Sequence, residues 1–352
     1  MDKVLSIIVP AYNADWCIEK CLFSFIEESI LESLEVIVVN DGSTDRTSEI
    51  AQRFVNKYPN TFRLINKENG GHGSGINAAV KIATGKYFKV IDADDWVITE
   101  NLAPFLEDIR DKNADVILTH FHTIDMITGR RQAFITKGIT FGNVYTINDF
   151  AKGSNNVFRC ATFHGITYNT KFYRYTGISL PEKVFYEDQE YATLPFSKVK
   201  TVLPIDLFLY QYLIGNCVQS VSDENQVRHI KDIKSVVLKI ADAYNDNPDM
   251  PKGAKKYFIY KFSDILKSYY VVALIKDPNR KAGRQDVIRF RDELAEKNRM
   301  LVLNTNKDYN IVLLMHYLRI TSKNLQRLKQ SVFFKCIYAT ASILGARKHE
   351  KK

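Results

Sequence analysis

Tyr87-Phe88-Lys89-Val90-Ile91-Asp92-Ala93-Asp94-Asp95 is a short, mostly apolar run that delivers three carboxylates in four positions. A run of this length, bounded by turn residues, reads as a buried strand over Tyr87–Ile91. The same grammar repeats upstream. Val4–Val9 is a continuous apolar strand ended by Pro10, and Leu34–Val39 is a second that runs into Asn40-Asp41-Gly42-Ser43-Thr44-Asp45. Phe62–Asn66 is a short third. Trp16–Ser29, Thr47–Tyr58 and Gly75–Ala83 carry helical apolar spacing between them, with Asp15 placed to cap the first and Thr44 or Asp45 the second. Alternation of buried strands with helices predicts an α/β fold built on a mostly parallel sheet with helices on both faces. Ligands of such sheets bind beyond the carboxyl ends of the strands. Here those ends carry Asp41 and the Asp92–Asp95 cluster.

Further along, Asp115–Thr119 extends the sheet, and Val199–Tyr212 reads as two strands around Pro204. After about Ser222 the pattern changes. Val227–Tyr244, Lys255–Ile275, Arg284–Lys297 and Asn310–Arg319 are helical in period. An α/β domain over 1–222 and a helical C-terminal region with a basic tail over 223–352 are therefore expected. The chain has 352 residues and is 45% hydrophobic, enough for a large core. Its five Cys include no Cys-x-x-Cys pair, which argues against a disulfide scaffold or a thiolate zinc cluster and fits a reducing cytoplasm. The N-terminal apolar run is too short for a secretory leader, and no run reaches the roughly 18 residues a bilayer span needs. A cytoplasmic location follows as the expectation. The formal net charge of +9 calls for an anionic partner. No nucleic-acid-binding module is present, so nucleic acid is not the expected one. Residues 321–352 hold eight Lys or Arg against one acid, Glu350, interleaved with Phe333, Phe334, Ile337 and Tyr338. Such a segment suits either peripheral contact with an anionic inner-membrane face or packing on its own domain.

Three carboxylates this close repel one another, most strongly where water is partly excluded. A hard divalent cation, Mn²⁺ or Mg²⁺, relieves that repulsion and shares its remaining positions with phosphate oxygens. The other reading of the cluster is a polar turn in which Asp95 caps the next helix. Asp41 ends an apolar strand and is placed to accept hydrogen bonds from a nucleobase or ribose. Gly70-Gly71-His72-Gly73-Ser74-Gly75 lets backbone approach a ligand closely. From Gly73 the string Gly-Ser-Gly-Ile-Asn-Ala loosely matches a dinucleotide fingerprint, with Asp92 nineteen residues on. That gives an alternative, a nicotinamide-dependent oxidoreductase. It ranks second, because two strand–helix units precede the loop and the acid lies in a cluster suited to a cation. His72 is open between a sugar or phosphate contact and a solvated loop position.

Val9-Pro10-Ala11-Tyr12-Asn13, the Asn40–Asp45 turn with Val39, Asn69-Gly70-Gly71, Ala83-Thr84-Gly85-Lys86-Tyr87 and Asp92-Ala93-Asp94-Asp95 occur in that order. Together they make residues 3 to 220 resemble a bacterial family 2 glycosyltransferase of GT-A fold. The resemblance implies inverting transfer from a nucleotide-diphosphate sugar, most often a UDP-sugar, with Mn²⁺ or Mg²⁺. The acceptor would be a glycan or lipid-linked saccharide in cell-surface polysaccharide or cell-wall glycan synthesis. It implies that Pro10, Ala11, Tyr12, Asp41 and Gly71 line the nucleotide-sugar site, that Asp92 and Ala93 lie near ribose and diphosphate, and that Asp94 is the metal ligand. It also implies that Asp188, supported by Glu187, is the base, since inversion by direct displacement needs one group to take the acceptor proton. The segment Tyr210 to Ser220 resembles the family's closing segment but has no Arg between 211 and 220. Lys198, Lys200 and Arg228 are then the open choices for steadying the leaving diphosphate. His164 is open between an acceptor contact and a buried structural role. A non-catalytic partner subunit of another glycosyltransferase is the remaining alternative.

Overall fold

A computed structural model describes residues 2–154, 156–215 and 223–325. The expected boundary at 222, the closing segment beyond Gly215 and the basic tail from 326 onward lie outside the described residues. The chain divides into two compact units. The first takes in the described residues up to 215 together with Asn247–Tyr257, and the second takes in 223–246 together with the residues from Phe258 to 325.

The first unit is organised by one sheet. Its strands are β1 (Leu5–Ala11), β2 (Leu34–Asp41), β3 (Phe62–Lys67), β4 (Tyr87–Val90), β5 (Trp96–Val97), β6 (Val116–Asp125), β7 (Arg131–Phe134), β8 (Tyr145–Thr146), β9 (Ile166–Asn169) and β10 (Thr201–Ile214). The order is β3-β2-β1-β4-β9-β6-β10-β5, with β7 on β6 and β8 on β10. Strands β1 to β4 pair in parallel, so Ala11, Asp41, Lys67 and Val90 end on one edge. Every residue of β1 and β2 is buried, which is why both read as mostly apolar runs, and the polar Ser6 and Glu35 within them hydrogen-bond each other. The sheet is mixed rather than simply parallel, because β9 runs antiparallel between β4 and β6.

Three local expectations are corrected. Trp16–Ser29 is not one helix: Ile18–Phe23 is followed by a 3₁₀ segment, Glu28–Ser33, and no side chain caps the start. Asp15 instead gives its amide to Asp45 at 3.0 Å. The helix expected from Gly75 begins at His72 and runs to Ile82. Val199–Tyr212 is a single strand, β10, that continues through Pro204, with register shifts between Pro204 and Phe208 and between Phe208 and Tyr210. Bulges of this kind let a strand absorb a residue that cannot donate to the ladder.

Lys89 of β4 is wholly buried. Its Nζ donates to the carbonyls of His164 at 2.7 Å and Ile166 at 3.1 Å, fixing the chain as it enters β9. Burial lowers its pKa to about 7. In the unfolded chain a lysine keeps its proton to about pH 10.4. Between those values the unfolded state binds more protons, so stability rises with pH. Urea unfolding should show wild type gaining about 2–3 kcal/mol relative to Lys89→Met from pH 7 to pH 9. A pH-independent difference would mean that the ammonium stays charged in the fold.

The second unit is helical: Ile230–Asp246, the later part of Lys252–Val271, Arg280–Asn304 and Asn306–Tyr317. Its apolar faces include Val236, Ile240, Phe262, Leu266, Phe290 and Leu294, all buried. Asp286 accepts from Tyr269 at 2.7 Å and from Lys234 at 3.1 Å, which pins two of its helices to a third. Among the described residues no helix is long and apolar enough to cross a membrane.

Candidate active site

The acidic turn after β4 sorts its three carboxylates into different environments. Asp95 is 1% exposed. One of its oxygens takes the Tyr210 hydroxyl and the other takes the Leu213 amide at 2.7 Å. Tyr210 in turn accepts the Asp92 amide at 3.2 Å, and the Asp95 amide closes the turn on the Asp92 carbonyl at 3.0 Å. Burial, then the charges of Asp92 and Asp94, hold the Asp95 carboxyl well above the usual range. Asp95 therefore fastens β10 to the turn and caps no helix. Asp92 and Asp94 are partly exposed, and the three residues each place an oxygen within 4.8 Å of the others. Ala93 between them is buried in the core.

The ends of β1 and β2 are stitched together beside this turn. Pro10 and Ala11 are buried while Tyr12 is 54% exposed. The Asn13 side-chain oxygen accepts the Thr44 amide at 2.9 Å, and the Asn13 amide donates to Ser43 at 3.0 Å. The Asp45 carboxylate accepts the Thr47 amide at 2.9 Å at the start of the Thr47–Lys57 helix. Asp41 is nearly fully buried. Its carboxylate accepts from Lys67 at 2.6 Å, from Gly70 at 3.0 Å and from Gly71 at 2.7 Å. In this structure Asp41 shapes the glycine loop.

Gly71 and Gly73 lie directly against the chain's own backbone. Gly71 has φ +88°, and a Cβ there would lie 2.8 Å from the Lys183 amide nitrogen. A Cβ on Gly73 would lie 2.6 Å from the Pro181 carbonyl and 3.3 Å from Glu187 Cγ. The missing side chains let the 180–187 segment lie directly on the loop. Lys183 donates its amide to Gly70 at 2.9 Å, and Asn77 exchanges hydrogen bonds with the Leu180 backbone at 2.9 and 3.0 Å.

His72, between those two glycines, joins the parts of the site. Its Nε2 lies 2.8 Å from Asp92 Oδ1, and its Nδ1 lies 2.7 Å from Glu187 Oε1. Burial works against its protonation, but the Asp92 and Glu187 carboxylates outweigh it and hold the imidazole pKa well above 6.5. Glu187 is buried, and Asp188 beside it is partly exposed, with Oδ2 accepting from Gln189 at 2.7 Å. Tyr186, just before them, has φ +69°, the left-handed region. Tyr212 faces the same ground: burial and then the charges of Asp95, Asp92, Asp188 and Asp94 raise its phenol. His164 stacks on the Tyr212 ring at 4.0 Å.

Asp92, Asp94, Glu187 and Asp188 are thus brought together, with Asp41 and Gly71 forming the wall behind His72. Lys198 is engaged elsewhere, with its Nζ on the Thr176 carbonyl at 3.1 Å. Sequence reasoning left His72 unassigned and passed over Tyr212. The available signals were a titratable ring held between two glycines, and the period-2 pairing of Tyr210 with Tyr212 on one strand face.

Residues 6–170 match Glycosyl transferase family 2. Over that span the chain is similar to that family. The Glycosyltransferase GlyG of Streptococcus pneumoniae is 30% identical over 137 residues, covering 39% of this chain and 45% of that protein. The Poly(ribitol-phosphate) beta-glucosyltransferase of Bacillus spizizenii is 34% identical over 116 residues, covering 32% of this chain and 18% of that protein. The chain therefore spans less than half the length of these relatives. A crystal structure of TarS residues 1–349 from S. aureus, in complex with UDP-GlcNAc, superposes with a TM-score of 0.60 at 20% identity, over 90% of this chain and 92% of that one. The α/β fold is shared with TarS. The matched region contains Asp41 and the Asp92–Asp95 turn but ends before Glu187 and Asp188, whose place in the site rests on the geometry above.

Proposed function

We propose that this chain transfers a sugar, with inversion, from a nucleotide-diphosphate sugar of the UDP class to a hydroxyl of a glycan or lipid-linked saccharide, in cell-surface polysaccharide or cell-wall glycan synthesis. The observation that carries the reading is the convergence of the Asp92–Asp95 turn and the Glu187–Asp188 pair on one imidazole, His72, at the carboxyl edge of the sheet. The match of residues 6–170 to Glycosyl transferase family 2 and the likeness to GlyG and the poly(ribitol-phosphate) enzyme support it. TarS, which shares the fold, was crystallised with UDP-GlcNAc, and that supports a UDP-sugar as the donor class here.

The residues fit the chemistry. Asp188 takes the proton from the acceptor hydroxyl as its oxygen bonds to the anomeric carbon. The bond from that carbon to the phosphate oxygen breaks, and the electron pair leaves with the nucleoside diphosphate. One displacement inverts the anomeric centre, and no protein nucleophile is required. The nucleoside lies against Pro10, Ala11 and the exposed Tyr12 ring, on the wall shaped by Asp41 and Gly71, and Asp92 with Ala93 faces its ribose and diphosphate. A divalent cation fits the turn: three carboxylates lie within 4.8 Å, and their mutual repulsion is what raises Asp95 further. Asp94 would hold Mn²⁺ or Mg²⁺, helped by Asp92, because both Asp95 oxygens already accept protein hydrogen bonds. When bound, the cation supplies Lewis-acid stabilisation of the departing diphosphate.

The purified chain should be stabilised by UDP with Mn²⁺, by about 2.7 kcal/mol at one hundred times the dissociation constant, and not by NAD. NMR of the product should show the inverted anomer. Retention would overturn direct displacement. Stabilisation by NAD alone would favour the oxidoreductase, and failure to hydrolyse or transfer any nucleotide sugar would favour the partner subunit.

A further inference from the structure

We propose that His72 is a positioning residue, a rigid strut that fixes the donor-side Asp92 carboxylate and the Glu187–Asp188 helix start at one spacing. The inference rests on the glycosyl-transfer reading for its kinetic consequences, but its structural basis is independent of it. Two nitrogens on opposite sides of one planar ring each meet a different carboxylate, at 2.8 and 2.7 Å. A lysine would offer one nitrogen, and a flexible amide would not fix the distance between the two acids. The flanking residues are built around this contact. Gly71 takes a positive φ and admits the Lys183 backbone, and Gly73 admits Pro181 and Glu187 Cγ. Each would obstruct the approach if it carried a side chain. The far face of the ring is backed by Phe163, with centroids 5.7 Å apart. Asp188 follows Glu187 directly, so a shift of Glu187 moves the proposed base. Asp92 opens the turn that carries Asp94, so the same strut also sets where the donor's diphosphate lies relative to that base.

A misplacement of about 1 Å in a reacting group can lower the rate roughly 10²-fold. His72→Ala should therefore lower kcat by about that factor, with UDP affinity in Mn²⁺ changed far less. Glu187→Ala, which removes the hydrogen-bond acceptor, should fall in the same way. The double variant should be no slower than the slower single, because both changes break one connection. Multiplying losses would overturn the strut. Hydrogen exchange gives a readout that needs no turnover. Peptides covering 183–190 should lose protection in His72→Ala while those from β1 and β2 keep theirs, and unchanged protection of 183–190 would overturn the proposal. If His72→Ala does not fold, His72→Gln retains a donor for one carboxylate and should give an intermediate kcat. A wild-type kcat in His72→Gln would equally overturn it. A wild-type protein inactive on every nucleotide sugar, with the exchange pattern as expected, would remove the transfer reading and leave the strut standing.

Discussion

Asp188→Asn is expected to lower kcat by roughly 10²–10⁴-fold, the range a positioned general base supplies. The amide keeps the volume of the carboxylate and can still meet Gln189, which now donates to Asp188 at 2.7 Å. What it loses is the capacity to take the acceptor's proton as the new glycosidic bond forms. UDP binding in the presence of Mn²⁺ should barely move, because the proposed nucleotide site lies against the ends of β1 and β2. Steady-state kinetics together with UDP titration separate the outcomes. An unchanged kcat would exclude Asp188 as the base, and loss of UDP binding would assign it to the architecture of the nucleotide site.

Asp94→Ala should cost at least about 10²-fold in kcat/KM and most of the Mn²⁺-dependent gain in UDP affinity, since a cation on the departing phosphate contributes several kcal/mol of charge stabilisation. The melting temperature without nucleotide should stay close to that of wild type. Asp94 is partly exposed, and the fold of the turn is held by its neighbour Asp95 through Tyr210 and Leu213. Calorimetric titration of Mn²⁺ with UDP, alongside activity in EDTA, tests this. Full activity of the variant, or of wild type stripped of metal, would place the diphosphate's partner elsewhere.

Much of this was legible in the chain because burial leaves a simple mark. Strands β1, β2 and β4 read as mostly apolar runs, and the acids after β2 and β4 stood out against them. The mixed character of the sheet was not legible. Whether Ile166–Asn169 runs with or against β4 depends on the path of the chain between them, and no local periodicity records it. The Trp16–Ser29 helix broke because its apolar residues satisfy two short segments packed on the sheet as well as one long one. In the acidic turn, three identical side chains gave one signal. Only tertiary contacts separate Asp95, sealed under β10, from Asp92 and Asp94. The protein contacts of the glycine loop were not legible for a related reason. Small residues signal close approach, but the sequence does not say of what, and here the approaching group is the chain's own 180–187 segment. His72 lies 115 residues from Glu187, so no motif scan joins them.

The tie between Asp95 and β10 sets a clock on biosynthesis. Tyr210 follows Asp95 by 115 residues, and at about 5–20 residues per second it emerges from the ribosome roughly 6–23 s later. Until then a nascent chain carries every carboxylate of the turn, yet Asp95 has neither the phenol nor the Leu213 amide that hold it, and the turn has no fixed shape. The same late stretch, residues 180–214, brings Glu187, Asp188 and Tyr212. On the proposed reading, donor side and acceptor side are both completed only once this stretch has emerged, so an unfinished chain has no finished site in which to spend sugar nucleotide.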